Sequence, residues 1–241
     1  IRTLEGQGLL DRAIEFLPTD AEFADRKSRG EGLTRPELSV LLSYDKIVIF
    51  NQLLESDVPE DPYLSKELVR YFPAALQKTY AADMEQHRLR REIIATAVTN
   101  SMVNRMGATF TLSMTEDSGR TPGEVAKAYT ISREALNARE MWSQIDALDG
   151  KVPEDVQIDA LLAIWNLIRG TSRWLLSRPG ALPPIAEAVE RYGGALDEIR
   201  KALPGLLPGH RGNGYATRLH SWQQRGLPAA LAAQLAALPL L

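Results

Sequence analysis

The 241-residue chain has no cysteine. That excludes a disulfide scaffold, a thiolate metal site and a cysteine nucleophile together, and fits a reducing compartment. It also lacks an excess of charge of either sign, with 28 Lys+Arg against 31 Asp+Glu and a formal net charge of −3. A basic nucleic-acid binder would carry positive charge to displace counterions from phosphates, so no nucleic-acid partner is expected. No run of 18 or more uncharged apolar residues occurs, so no membrane span or membrane partner is expected. Aromatic residues make up only 7%, but apolar residues as a whole reach 44% and charged residues 24%. That balance is ordinary for a globular protein and too apolar for a disordered one.

The ends carry no initiator Met and no signal sequence, and 11 of the last 14 residues are Ala or Leu. An apolar terminus needs a cover. The expectation is an excised fragment whose tail is covered by missing parts of a longer protein, with an unusual natural terminus as the alternative.

Periodicity is helical nearly throughout. Thr34-Arg-Pro-Glu37 is a capping box, and the apolar spacing behind it predicts a helix through Glu55. Two prolines in Val58–Pro62 break the chain. A short helix follows from Ser65 to Tyr71-Phe72, then a long one from about Asp83 to Met106, stopped by Gly107. Another covers Thr109 to Glu116. Thr121-Pro-Gly-Glu124 repeats the capping pattern, opening a helix through Tyr129, and Ser132 is expected to cap a second one to about Ala147. Pro153 starts a long helix to Ser177. Pro183 and Pro184 start one that Gly193-Gly194 interrupts, with Leu196–Leu203 continuing it. Pro204–Gly209 is the most turn-rich stretch. Helices near Tyr215–Gln224 and Pro228–Leu238 complete the chain. The expected fold is all-α, a bundle of about ten helices in two packed helical subdomains: residues 1–178, and a second, incomplete one at 179–241. No repeat of 33–47 residues supports a solenoid.

The sequence offers no catalytic constellation. His87, His210 and His220 lack metal-ligand spacing, so no metal is expected. Gly212-Asn-Gly214-Tyr-Ala-Thr217 has Thr where the dinucleotide fingerprint needs a third small residue, and no strand precedes it; Gly6-Gln-Gly8 fails the same test. There is no G-x-x-x-x-G-K-[ST] and no Gly-x-Ser-x-Gly. No catalytic or cofactor-binding residue is therefore assigned. Arg88, Arg90 and Arg91, flanked by Glu85 and Glu92, read as a salt-bridged helix face, with an anion site as the alternative. Trp142, Trp165, Trp174 and Trp222 read as packing anchors. Thr96, Asn100 and Asn104 lie four apart on one helical strip. Solvent exposure explains them, and the sharper reading is a polar seam against another domain, because buried amides need partners.

Several stretches together resemble one family. They are Leu33-Thr-Arg-Pro-Glu-Leu-Ser-Val-Leu-Leu-Ser-Tyr-Asp-Lys46, Asp61-Pro-Tyr-Leu64, Tyr71-Phe-Pro73, His87-Arg-Leu-Arg-Arg-Glu-Ile-Ile-Ala-Thr96, Thr99-Asn-Ser-Met-Val-Asn-Arg-Met-Gly107 and Thr121-Pro-Gly-Glu-Val-Ala-Lys-Ala-Tyr129. They are similar to the C-terminal region of the large-subunit bacterial NAD-specific glutamate dehydrogenases. The likeness runs from Leu4 to Trp174 and thins after Pro179. It implies a parent enzyme that oxidises L-glutamate to 2-oxoglutarate and ammonia with NAD as cofactor. The catalytic Lys and Asp and the nucleotide-binding fold would lie upstream of this chain. It further implies a helical domain with a structural, interdomain or regulatory role. Its partners would be the catalytic domain of the same polypeptide and other copies in a homo-oligomer, in the bacterial cytoplasm. The competing expectation is a stand-alone α-helical interaction module that binds a partner in a groove.

Overall fold

Three Thr-x-x-Glu segments start helices here, each as a complete capping box. Thr19, Thr34 and Thr121 accept the backbone N–H of Glu22, Glu37 and Glu124, and each glutamate reaches back to the cap. The first of the three, before residue 20, adds a helix that the sequence reading passed over. The computed structural model describes residues 1–206 and 210–241, with the side chains of 204–212 outside the description.

In chain order the α-helices are α1 (Arg2–Gly6), α2 (Asp20–Ser28), α3 (Arg35–Leu54), α4 (Ser65–Tyr71), α5 (Ala74–Gln77), α6 (Ala81–Glu85) and α7 (Arg90–Met106). There follow α8 (Phe110–Ser118), α9 (Pro122–Ala135), α10 (Ala138–Asp146), α11 (Glu154–Ser177), α12 (Ile185–Leu206), α13 (His210–Gln224) and α14 (Ala229–Ala237). Among the described residues there is no strand, and eleven of the helices have seven residues or more. The all-α expectation of about ten helices holds.

Contacts divide the chain into two compact units, residues 1–60 with 64–113, and residues 61–63 with 114–241. The contact division falls near residue 113. The reason is α12, which packs along α9 as closely as α11 does and so belongs with the helices that precede it. Part of the turn-rich stretch expected at 204–209 lies outside the described residues.

In the first unit α3 and α7 pack together, and α4 packs on α7. Ile49, Leu53, Leu68, Ile94, Val98 and Met102 make the dry interior. Burying each such side chain contributes about 1.5–3 kcal/mol. The helix expected from 83 to 106 is two helices: α6 ends at Glu85 and α7 begins at Arg90, with the His87 Nδ1 accepting the Leu89 N–H in the turn between. Gly107 ends α7 with φ +87°, a conformation glycine enters without steric cost.

In the second unit α9 is the centre, with α11, α12 and α10 packed against it. Two expectations are corrected here. Ser132 caps nothing; it is fully buried inside α9, where its hydroxyl donates to the Ala128 carbonyl. The break falls five residues later, at Asn137 in the left-handed conformation with φ +53°, which Asn tolerates. Nor do Gly193-Gly194 interrupt α12. Both lie within the helix, and a Cβ at Gly193 would meet the Ala135 backbone at an ordinary contact distance of 3.8 Å. Much of the Leu/Ala-rich tail is covered within this unit: α14 packs on α13, with further contacts to α11 and α12, and Leu231, Ala232 and Leu235 are buried.

Candidate functional site

The two units each present one surface with the makings of a site. In the first, α3 and α7 run antiparallel. Arg91 near the start of α7 donates to the Leu54 carbonyl at the end of α3, while Lys46 and Asn100, far from those ends, share one pocket. That shallow pocket has a volume of about 430 Å³ and is lined by Lys46, Ile47, Phe50 and Asn51 from α3 and Thr96, Thr99 and Asn100 from α7. Thr96 and Asn100 are thus brought together, both half-buried; Asn104, one turn further on, is exposed and stands outside this lining.

On the same two helices are two buried polar atoms without a hydrogen-bond partner among the described residues, Asp45 Oδ2 and Thr99 Oγ1. Desolvation pushes the Asp45 carboxyl up to about 7. Near neutral pH it therefore holds a proton part of the time and can donate as well as accept. Asp45 falls on the apolar spacing, Leu38, Leu41, Leu42, Val48 and Ile49, that predicts α3 from the sequence. The signal was present: an ionisable residue at a core-facing helical position is rare unless paired.

The arginine cluster finds a partner the sequence reading did not name. Arg90 and Arg91 both pair with Glu60, which lies 30 residues back in the chain, and Arg91 also binds the Leu54 carbonyl at 2.7 Å. Glu92 points elsewhere, with one oxygen buried and unpartnered. Two of the three guanidiniums are thus committed to fastening the α3–α7 connection. Arg88 is exposed.

The second unit carries an open apolar groove of about 480 Å³ over α9, walled by α11 and α12. Asn166, Leu167, Gly170, Thr171 and Trp174 recur at helical spacing along one wall, and Tyr192, Ala195, Leu196 and Ile199 along the other. Gly170 leaves the middle of its wall bare, with no atom within 4 Å of where a Cβ would sit. Trp174, expected as a packing anchor, is 46% exposed at the groove's edge, and Ile199 is 45% exposed. Trp174 and Tyr192 meet edge to face with centroids 5.8 Å apart. Arg178 lies 4.8 Å from the centre of the Trp174 ring and Arg191 5.7 Å from that of Tyr192. Such cation–π contacts hold guanidiniums in place without neutralising them.

No group of three or more His, Cys, Asp or Glu side chains among the described residues could hold a metal ion. His87 and His220 are exposed, and the His210 side chain lies outside the description. NAD does not fit the glycine stretches of this chain. Gly212 and Gly214 fall within α13 and not in a strand-to-helix loop, and no strand precedes them among the described residues. No described helix is long and apolar enough to cross a membrane.

Comparison with known proteins agrees with the stretches quoted above. Residues 30–241 match the family model described as glutamate dehydrogenase, C-terminal. The chain is similar to the NAD-specific glutamate dehydrogenase of Pseudomonas aeruginosa, 40% identical over 234 residues, which cover 97% of this chain and 14% of that protein. It is similar to that of Halomonas elongata at 36% identity, covering 98% of this chain and 15% of the relative. That of Mycobacterium tuberculosis is 30% identical over 87% of this chain and 13% of its own length. The chain therefore spans only about a seventh of the length of these relatives, and it belongs to the glutamate dehydrogenase C-terminal family.

Proposed function

We propose that this chain is the helical C-terminal domain of an NAD-dependent glutamate dehydrogenase. The parent reaction is L-glutamate + NAD+ + H2O to 2-oxoglutarate + ammonia + NADH. The domain contributes structure, interdomain bracing or regulation and holds no active site of its own. The observation that carries this reading is the family match over residues 30–241, in relatives of which the chain makes up about a seventh. Most of such a polypeptide lies elsewhere and has room for the catalytic and nucleotide-binding parts, whose motifs this sequence lacks. The partners are the catalytic domain of the same polypeptide and further copies in a homo-oligomer, in the bacterial cytoplasm. Thr96 and Asn100, gathered at the α3–α7 pocket, are the contact points offered to the catalytic domain, with Asn104 beside them. A stand-alone interaction module has no reason to keep 36–40% identity along nearly its whole length to one enzyme family.

The test is complementation. The upstream catalytic segment, prepared separately, is assayed for NADH formation from glutamate and NAD+ with and without this chain. Activity that appears or rises on addition supports the reading. Equal activity with no binding between the two overturns it.

A further inference from the structure

We infer that the groove between α11 and α12 is the seat of an amphipathic helix with acidic flanks, contributed by a part of the same polypeptide outside these 241 residues. The inference deepens the proposed function and rests on it.

The argument begins with spacing. On α11 the lining falls at Asn166, Gly170 and Trp174, and on α12 at Tyr192, Leu196 and Ile199. Both are single helical faces at steps of three and four. Two parallel ridges of this kind, with a bare Gly170 between neighbours, leave a trough into which the apolar face of a third helix fits by ridge-into-groove packing. The length of α11 from Asn166 to Leu175 corresponds to about 14 Å, or two and a half turns. A helix of about three turns, apolar at i, i+3/i+4 and i+7, fills it.

Charge decides what kind of helix. Arg178 and Arg191 stand over the two aromatic residues of the groove, Trp174 and Tyr192, and neither forms an ion pair among the described residues. Several other arginines of this unit are matched, Arg173 to Asp117, Arg200 to Asp197 and Arg225 to Asp155 and Asp159, while Arg169, away from the groove lining, stacks on Trp165. Two unmatched guanidiniums beside one exposed apolar groove complement a partner that brings carboxylates next to its apolar face. The relatives place about six-sevenths of their length outside the region matched here, which is ample chain to supply that helix.

The experiment uses the full-length polypeptide. These 241 residues include no native cysteine, so a single introduced thiol reports locally. Ala195→Cys puts a thiol in the groove, and Ala186→Cys puts one on an exposed part of α12 outside it. Maleimide labelling is read by peptide mass spectrometry. The expected result is labelling at 195 at least about tenfold slower than at 186, which corresponds to a groove occupied about nine-tenths of the time. The pair Arg178→Glu/Arg191→Glu should raise the rate at 195 to within about threefold of that at 186. Gly170→Leu, which fills the trough at a position with open space, should do the same without altering any charge. A photoreactive residue at 195 should join to a peptide of the same polypeptide carrying the apolar and acidic pattern. Equal labelling at 195 and 186 overturns the inference, as does a cross-link to a second copy of this region or to another protein. The failure of the broader reading looks different. If the chain activates the catalytic segment in trans while the thiol of the Ala195→Cys variant stays freely reactive, only the groove assignment falls. If neither protection nor activation is seen, both fall.

Discussion

The Ser172 hydroxyl donates to the Ser132 hydroxyl at 3.1 Å, between α11 and α9, where both side chains are fully buried. Ser132 passes its own proton on to the Ala128 carbonyl at 2.8 Å. The pair thus forms a short relay that leaves neither hydroxyl stranded in a dry seam. Replacing Ser132 alone by Ala removes the acceptor and leaves the Ser172 donor buried without it, which costs about 1–3 kcal/mol. Replacing both by Ala should cost less than the two single changes summed. Chemical denaturation of the four proteins in the cycle measures the difference.

Glu134 is held between two arginines. Burial alone would raise its carboxyl, but Arg133 and Arg139 more than offset that and hold it below the ordinary value. Arg133 has no exposed side-chain surface, and its Nε lies 2.7 Å from Glu134. Glu134→Ala should therefore destabilise the protein by about 3 kcal/mol or more, because it takes the carboxylate from a desolvated cation. Glu134→Ala combined with Arg133→Met should recover part of that loss. Thermal denaturation at pH 7 distinguishes the two.

Asp45 gives a pH dependence of unusual sign. Its folded-state value of about 7 lies above the ordinary 3.8, so the folded protein holds this proton more tightly than the unfolded chain does. The contribution is fully favourable below the unfolded value and is lost as pH rises through the folded one. Asp45→Asn should match the parent in stability near pH 4 and exceed it above pH 7, by about 1–2 kcal/mol once partial exposure is allowed for. Melting curves at pH 4, 6 and 8 provide the check; a parent that gains stability from this group between pH 4 and 8 would contradict the assignment.

Arg120 joins two helix ends. Its guanidinium donates to the carbonyls of Leu176 in the last turn of α11 and of Arg178 and Gly180 just after it, and to Glu124 in the first turn of α9. Those carbonyls belong to a helix terminus that has no intrahelical donors to offer them. Arg120→Ala should cost about 2 kcal/mol, and Arg120→Lys should restore little, since one ammonium cannot reproduce the planar fork. Urea denaturation of both variants tests this.

Much of the fold was legible in the sequence because capping chemistry and apolar spacing are local. Thr34, Thr121, Pro153 and Gly107 each start or stop a helix close to where their residue type says. What escaped was decided by contacts distant in sequence. Gly193-Gly194 looks like a breaker, but α12 runs through it while packed along α9. Ser132 looks like a cap until Ser172 is found beside it, 40 residues away. The grouping of α12 with the helices before it has the same origin, since α12 is drawn to α9 by packing that no linker composition records. At the candidate sites, Thr96 and Asn100 were found by their four-residue spacing. The groove was not, because its two walls come from separate helices and its meaning depends on Trp174 being turned outward.

The Arg120 clasp has a kinetic meaning as well. The last turn of a helix and the loop after it ordinarily fray by themselves, at little free-energy cost. Here neither segment 176–180 nor the start of α9 can open without releasing the same guanidinium. Amides in both places should then exchange with solvent at linked rates and respond together to Arg120 substitution. A loop that looks peripheral on the chain map thus belongs to the same cooperative unit as the central helix of its half of the protein.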